Sequence, residues 1–166
     1  MLAFTHTATG TFLASAVALI IRPSFIETML LLFGGLAGSL LPDLDHPKSW
    51  LGRRIPIISI PLSALVGHRG VTHSLIALFM TCAITIYGLS RWDLSLNAWS
   101  PLVIGLCIGY ASHLFGDWAT PSGIPLMWPS LRRYKSPVTF FTGCFEEKLF
   151  AYALWAGSAY MSLHLL

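Results

Sequence analysis

His113 and Asp117 stand four residues apart in an apolar stretch, so on a helix their side chains share one face and can share one ion. Among apolar neighbours such a pair is costly unless it is paired or metal-bound. The alternative is an aspartate that simply holds the histidine proton inside a helix bundle. A second run, PDLDH at 42–46, puts Asp43, Asp45 and His46 within four positions at a helix stop. Proline ends the regular helix there, leaving side chains free to converge. Both aspartates can ligate, or one can orient a histidine from behind. The bland reading is an acidic turn. A third run, GHRGVTHS at 67–74, carries His68 and His73 with glycines that let the backbone approach a ligand closely. Thr72 is the expected N-cap of the helix that follows. Arg69 is suited to hold a phosphate oxygen bidentately, or to anchor the chain among lipid headgroups. His6 joins the set because Thr5-His6 and Thr72-His73 both open apolar helices.

The elements that must position these residues are membrane helices. The 166-residue chain is 55% hydrophobic and only 10% charged, against about 25% charged for a soluble domain. So much apolar surface in one small domain requires lipid as solvent. Five apolar stretches, 3–21, 26–41, 72–90, 101–119 and 149–166, are each near the roughly 20 residues that span a hydrocarbon core. The expected fold is therefore all-α: a single-domain polytopic membrane bundle over 1–166, with about five transmembrane helices. The first stretch lacks a basic leader and a small-residue cleavage site, and reads as a retained helix. Four prolines make one straight helix through 42–71 unworkable, and Ile57–Val66 is short enough to be interfacial or re-entrant.

With five spans, the loops 42–71 and 120–148 lie on the side of the N-terminus. They carry Lys48, Arg53, Arg54, Arg69, Arg132, Arg133, Lys135 and Lys148, while the opposite side has Arg22 and Arg91. The excess of basic residues places the N-terminus and both loops in the cytoplasm. His6, Asp43, Asp45, His46, His68, His73, His113, Asp117, Glu146 and Glu147 then all fall at the cytoplasmic helix ends. Only Glu27, Asp93 and His164 lie at the far side.

Imidazoles and carboxylates without thiolates suit zinc, manganese or iron more than copper(I) or an iron–sulfur cluster, with zinc the first choice and manganese the alternative. The number of ligands exceeds one tetrahedral site, so two or more ions are expected. Clustered ions are suited to clamp the attacking and leaving oxygens of a phosphoester, with metal-activated water as nucleophile. Asp43 and Asp45 would bridge metal or activate water, Arg69 would stabilise phosphate charge, and His68 would shuttle protons or add a ligand. The expected partners are membrane lipids and a small or lipid phosphoester. A net charge of +3 with no basic run gives no support to nucleic-acid binding. Cys82, Cys107 and Cys144 show no CxxC spacing and read as unpaired small hydrophobes. The competing function is a non-catalytic metal-binding or divalent-ion transport protein. The nearly charge-free middles of the five stretches count against transport.

His6, PDLDHPKSWLG at 42–52, GHRGVTHS at 67–74 and GYASHLFGDWATPSGIPLMWP at 109–129 together resemble the YdjM-like inner-membrane proteins, described as membrane-bound metal-dependent hydrolases. The resemblance covers nearly the whole chain and implies that activity, with Glu147 as a further acidic ligand. More distantly, the pattern is similar to zinc-dependent phospholipase C and P1-type nucleases. His113 and Asp117 match their HxxxD element, Thr5-His6 their helix-opening pair, and His73 with Asp43 or Asp45 the further ligands. Their late HxxxE has no counterpart, since Gly143 stands four before Glu147, and this points to two metal ions rather than three.

Overall fold

The computed structural model describes residues 1–67, 69–92 and 94–165. It is all-helical: α1 (Ala3–Ile21), α2 (Phe25–Gly38), α3 (Pro56–Val66), α4 (Leu75–Arg91), α5 (Leu96–Trp118) and α6 (Phe145–Leu163), with short 3-10 turns at Pro42–Asp45 and Val71–His73. Among the described residues, three segments are long and apolar enough to cross a membrane: Ala3–Ile21, Phe25–Asp45 and Asn97–Trp118. Pro56–Leu65 and Leu75–Arg91 are shorter apolar helices. Helix α6 has 19 residues and carries Glu146 and Glu147 in its first turn. Large apolar side chains point outward along the helices, including Ile20, Phe33, Phe79 and Phe115. Lipid solvates such a surface without cost.

The hairpin between α1 and α2 follows from local chemistry. Arg22 takes a left-handed conformation (φ 47°) and returns its N–H to the Ala18 carbonyl at 2.9 Å, which closes α1. Pro23 cannot extend a helix. Ser24 then opens α2 with a reciprocal capping box to Glu27.

Helices α2 and α5 run side by side in the same direction, with backbone against backbone. Gly34, Gly35 and Gly38 on α2 face Gly105 and Gly109 on α5. A Cβ on Gly105 would collide with the Leu31 carbonyl oxygen, one on Gly109 with that of Gly35, and one on Gly38 with that of Leu106. This is the small-residue packing of membrane helices, which gain association from close van der Waals contact because lipid gives no hydrophobic drive. Helix α1 packs on both, bringing Gly10 against Gly35, and α6 packs on α1. Ser15 of α1 and Ser158 of α6 share a buried hydrogen bond of 2.8 Å. Helix α4 packs on α5.

Three local expectations are corrected. Thr72 is not the cap of α4. That helix starts at Leu75, and Ser74 is its N-cap, accepting from the Ala77 N–H, because Thr72 is drawn to Asp45 instead. Helix α5 begins at Leu96, so Pro101 lies inside it and gives no N–H to the Asn97 carbonyl, which accepts from the Ser100 hydroxyl at 3.0 Å instead. Cys82 and Cys107 are not unpaired. Helices α4 and α5 are neighbours in a hairpin and bring the two Cα atoms to 6.3 Å, and the sulfurs are joined as a disulfide. A separation of 25 residues leaves no local motif for such a pairing.

The glycine interface makes a contrast in alanine tolerance. Gly109→Ala should destabilise the fold by about 1–3 kcal/mol through overpacking. Gly88→Ala on α4, where nothing lies within 4 Å of the added Cβ, should leave stability unchanged or slightly raised. Thermal unfolding of the two variants in detergent checks this. Equal melting temperatures would show that the glycine contact is not limiting.

Candidate metal centre

Both α2 and α5 end where α1 and the turn before α4 begin, so four separated parts of the chain meet at one end of the bundle. His6 comes from the first turns of α1. Asp43 and Asp45 come from the 3-10 turn that Pro42 forces at the end of α2. His73 comes from the turn preceding α4, and His113 and Asp117 from one face of α5. His6, Asp45, His73, His113 and Asp117 are all buried to within 1% of full coverage, while Asp43 keeps 16% side-chain exposure.

The donor atoms form two overlapping groups of three, His6–Asp43–His113 and His73–His113–Asp117, with the atoms of each group within 4.8 Å of one another. Asp117 sits at the hub. Its Oδ1 lies 3.4 Å from His6 Nε2, and its Oδ2 lies 3.4 Å from His73 Nε2 and 3.8 Å from His113 Nε2. Asp43 Oδ1 faces the same two histidines, at 3.9 Å from His73 and 3.8 Å from His113. His73 Nε2 and His113 Nε2 are 3.3 Å apart, and the His6 and His113 rings stack at 3.6 Å.

The surroundings determine which ring nitrogen is free to bind. His113 Nδ1 lies 2.7 Å from the Ser39 carbonyl oxygen, which can only accept, so Nδ1 carries the proton and the Nε2 lone pair faces the cluster. On the outer side of His73, Nδ1 is 3.4 Å from Asp45 Oδ2. The same oxygen accepts from the Arg69 backbone N–H at 3.0 Å and from the Thr72 hydroxyl. Asp45 therefore stands behind His73 rather than inside either ligand group. Neither ring nitrogen of His6 makes a hydrogen bond, although the ring is buried. A buried imidazole without a hydrogen bond, beside other inward lone pairs and two carboxylates, fits a divalent cation.

Arg69 adopts φ 56°, an uncommon conformation for a residue with a side chain, and it closes the site from above. Its Nη2 lies 3.0 Å from Asp117 Oδ2, and its Nη1 donates to Thr120 at 3.3 Å and to Ser122. The Met1 amino group lies 2.7 Å from Asp117 Oδ1. Gly116 leaves room for His6, since a Cβ there would stand 3.3 Å from its ring.

Other expected site residues lie elsewhere. Glu147 accepts from the Leu2 N–H at 2.8 Å and the Gly143 N–H at 2.5 Å, tying the start of α6 to the start of α1 outside both groups. His46 also lies outside them, and its N–H closes the 3-10 turn onto the Asp43 carbonyl. His68 lies outside the described residues. Sequence reasoning missed Ser39, Thr120, Ser122 and Tyr110, whose hydroxyl donates to the Thr72 carbonyl at 2.6 Å. Tyr110 could have been found, because it lies three residues before His113 on the same helix face. Ser39 offers only its backbone and left no signal.

Arg69 and Asp117 form a well-covered ion pair. Arg69→Leu should cost the fold about 1–3 kcal/mol, the usual penalty for leaving a buried charged acceptor short of a donor. Denaturation of chelator-treated protein in detergent measures it. No loss of stability would mean that the Met1 amino group and the histidines already satisfy Asp117.

The sequence pattern of the family described as "YdjM inner membrane protein" matches residues 1–165. Inner membrane protein YdjM of Escherichia coli (strain K12) is 40% identical over 124 residues, covering 74% of this chain and 61% of that protein. The Shigella flexneri protein of the same name gives the same figures. The chain thus matches somewhat under two thirds of the length of these relatives. A Bacillus subtilis (strain 168) protein described as "Uncharacterized protein YvsG" is 39% identical over 134 residues, covering 81% of this chain and 79% of the relative. No solved structure matches the chain.

Proposed function

The chain belongs to the YdjM inner membrane protein family, and from that premise we propose a membrane-bound metal-dependent hydrolase that cleaves a lipid-type phosphoester at the cytoplasmic leaflet. One observation carries the reading: two three-ligand groups meet at His113, buried at one end of the bundle. Burying that many ionisable groups is unfavourable unless they perform work together. The order of ligand types along the chain also resembles that of zinc-dependent phospholipase C and P1-type nucleases.

On this reading His6, Asp43, His73, His113 and Asp117 hold one or two divalent ions, zinc first and manganese as the alternative. Such ions supply Lewis acidity toward a phosphoryl oxygen and lower the pKa of water toward neutrality. The protein's own groups do the rest. Ser39 fixes the tautomer of His113, and Asp45 fixes that of His73. Asp43, the most exposed carboxylate of the cluster, is placed to accept a proton from attacking water. Arg69 exchanges Asp117 for a substrate phosphate oxygen, which suits its planar fork of donors. Helices α4 and α6 complete a five-span bundle, and the basic residues of 42–71 and 120–148 set the metal end in the cytoplasm.

Elemental analysis of detergent-purified protein tests the first step. Wild type should carry one or more zinc or manganese ions per chain, and His113→Ala should lose them together with any phosphoesterase activity. A protein that is metal-free and also refuses added metal would sink the hydrolase reading. Asp45→Asn separates orientation from ligation: it should keep the fold while weakening metal affinity about 10- to 100-fold. Complete loss of metal in that variant would make Asp45 a direct ligand.

A further inference from the structure

A cavity of about 750 Å³ lies between α1, α5 and α6. Its walls are apolar: Phe12 and Leu13 from α1, Ile108 and Phe115 from α5, and Phe150 and Leu154 from α6. One end is formed by Met1 and Gly116. These two residues also border the candidate metal centre, since the Met1 amino group bonds Asp117 and Gly116 packs on the His6 ring. The cavity therefore adjoins the polar cluster, with Met1 and Gly116 between the two.

We infer that this cavity seats one acyl chain of a lipid phosphoester whose headgroup lies at the His–Asp cluster. The headgroup's fate rests on the hydrolase reading, whereas the seating of the chain does not. Length supports the assignment. The stretch of α5 and its C-cap that lines the cavity, Ile108 to Ala119, is about 16 Å long at the helical rise, half of a hydrocarbon core of about 30 Å. A groove of that depth matches one leaflet. Charge supports it as well. Arg69 and Arg133 both reach Ser122 at the polar end, through its hydroxyl and its carbonyl respectively, and Arg132 and Lys135 flank them in sequence. Glu146 and Glu147 also line the cavity, and Glu147 is engaged by two backbone N–H groups; the cations that would meet an anionic head stand at the cluster, outside the cavity wall. An apolar slot beside a cluster that carries the Arg69 guanidinium suits an amphiphile with an anionic head.

The test reconstitutes the full chain in phosphatidylcholine vesicles doped with phosphatidylglycerol that carries a diazirine in one acyl chain. After irradiation, adducts are mapped by mass spectrometry. Labelling should concentrate on Phe12, Leu13, Ile108 and Leu154, several-fold above Phe79 and Ile84 on the outward face of α4. Leu13→Trp, which fills the slot from α1, should reduce slot labelling several-fold and leave α4 labelling unchanged. Ala111→Trp fills it from α5 and serves if the first variant folds poorly. Equal labelling of slot and α4, or slot labelling indifferent to both tryptophans, overturns the inference. Slot labelling by a protein that binds metal yet cleaves no phosphoester would support the acyl site and defeat the hydrolase reading alone. Cleavage of phosphoesters with evenly spread labelling would do the reverse.

Discussion

The close approach of α2 and α5 is the constraint on which the rest of the structure depends. Glycines on both helices let carbonyl oxygens of one backbone rest where side chains of the other would stand. In lipid, helices gain from each other chiefly by such contact, because apolar side chains are as well solvated by acyl chains as by one another. The contact also fixes a register. With Gly38 against Leu106, the last turn of α2 stands beside His113, and the Ser39 carbonyl meets its Nδ1 at 2.7 Å. Helix packing and histidine orientation are thus parts of one geometry.

The polar end of the bundle is organised in layers around that contact. Asp117 gathers His6, His73, His113, Arg69 and the Met1 amino group on its two oxygens. Asp45 gathers the backbone and side chain of the segment 69–73 behind His73. Two aspartates two positions apart consequently face different tasks, since the 3-10 turn points Asp43 inward and Asp45 toward the 69–73 segment. The loop after α5 is held by backbone bonds from Ser136 to Trp118 and from Phe140 to Ala119. It brings Thr120 and Ser122 within reach of the Arg69 guanidinium. Such partners satisfy the backbone groups of this proline-rich segment.

The apolar remainder of the molecule is divided rather than unified. One small core joins Ala14, Ala18 and Leu31, and another joins Tyr110, Leu114 and Ile124 near the polar end. Neither is large, and many bulky apolar side chains face outward. That distribution is what a protein solvated by lipid requires, and it leaves the interhelical slot between α1, α5 and α6 unfilled by side chains.

Composition and spacing by themselves determined that the chain is helical and membrane-bound, that His113 and Asp117 share a face, and that acidic and histidine residues collect at one end of the apolar stretches. These properties are local or follow from the period of the helix. Tertiary structure alone decided the rest. It separated Asp43 from Asp45, drew Thr72 away from the helix cap, joined Cys82 to Cys107, and turned Glu147 toward Leu2 and Gly143. It also recruited the Ser39 carbonyl, which carries no side-chain signature. Each of these depends on how closely two helices approach and at what rotation. That is set by contacts between residues tens of positions apart, and no local spacing in a single sequence encodes them.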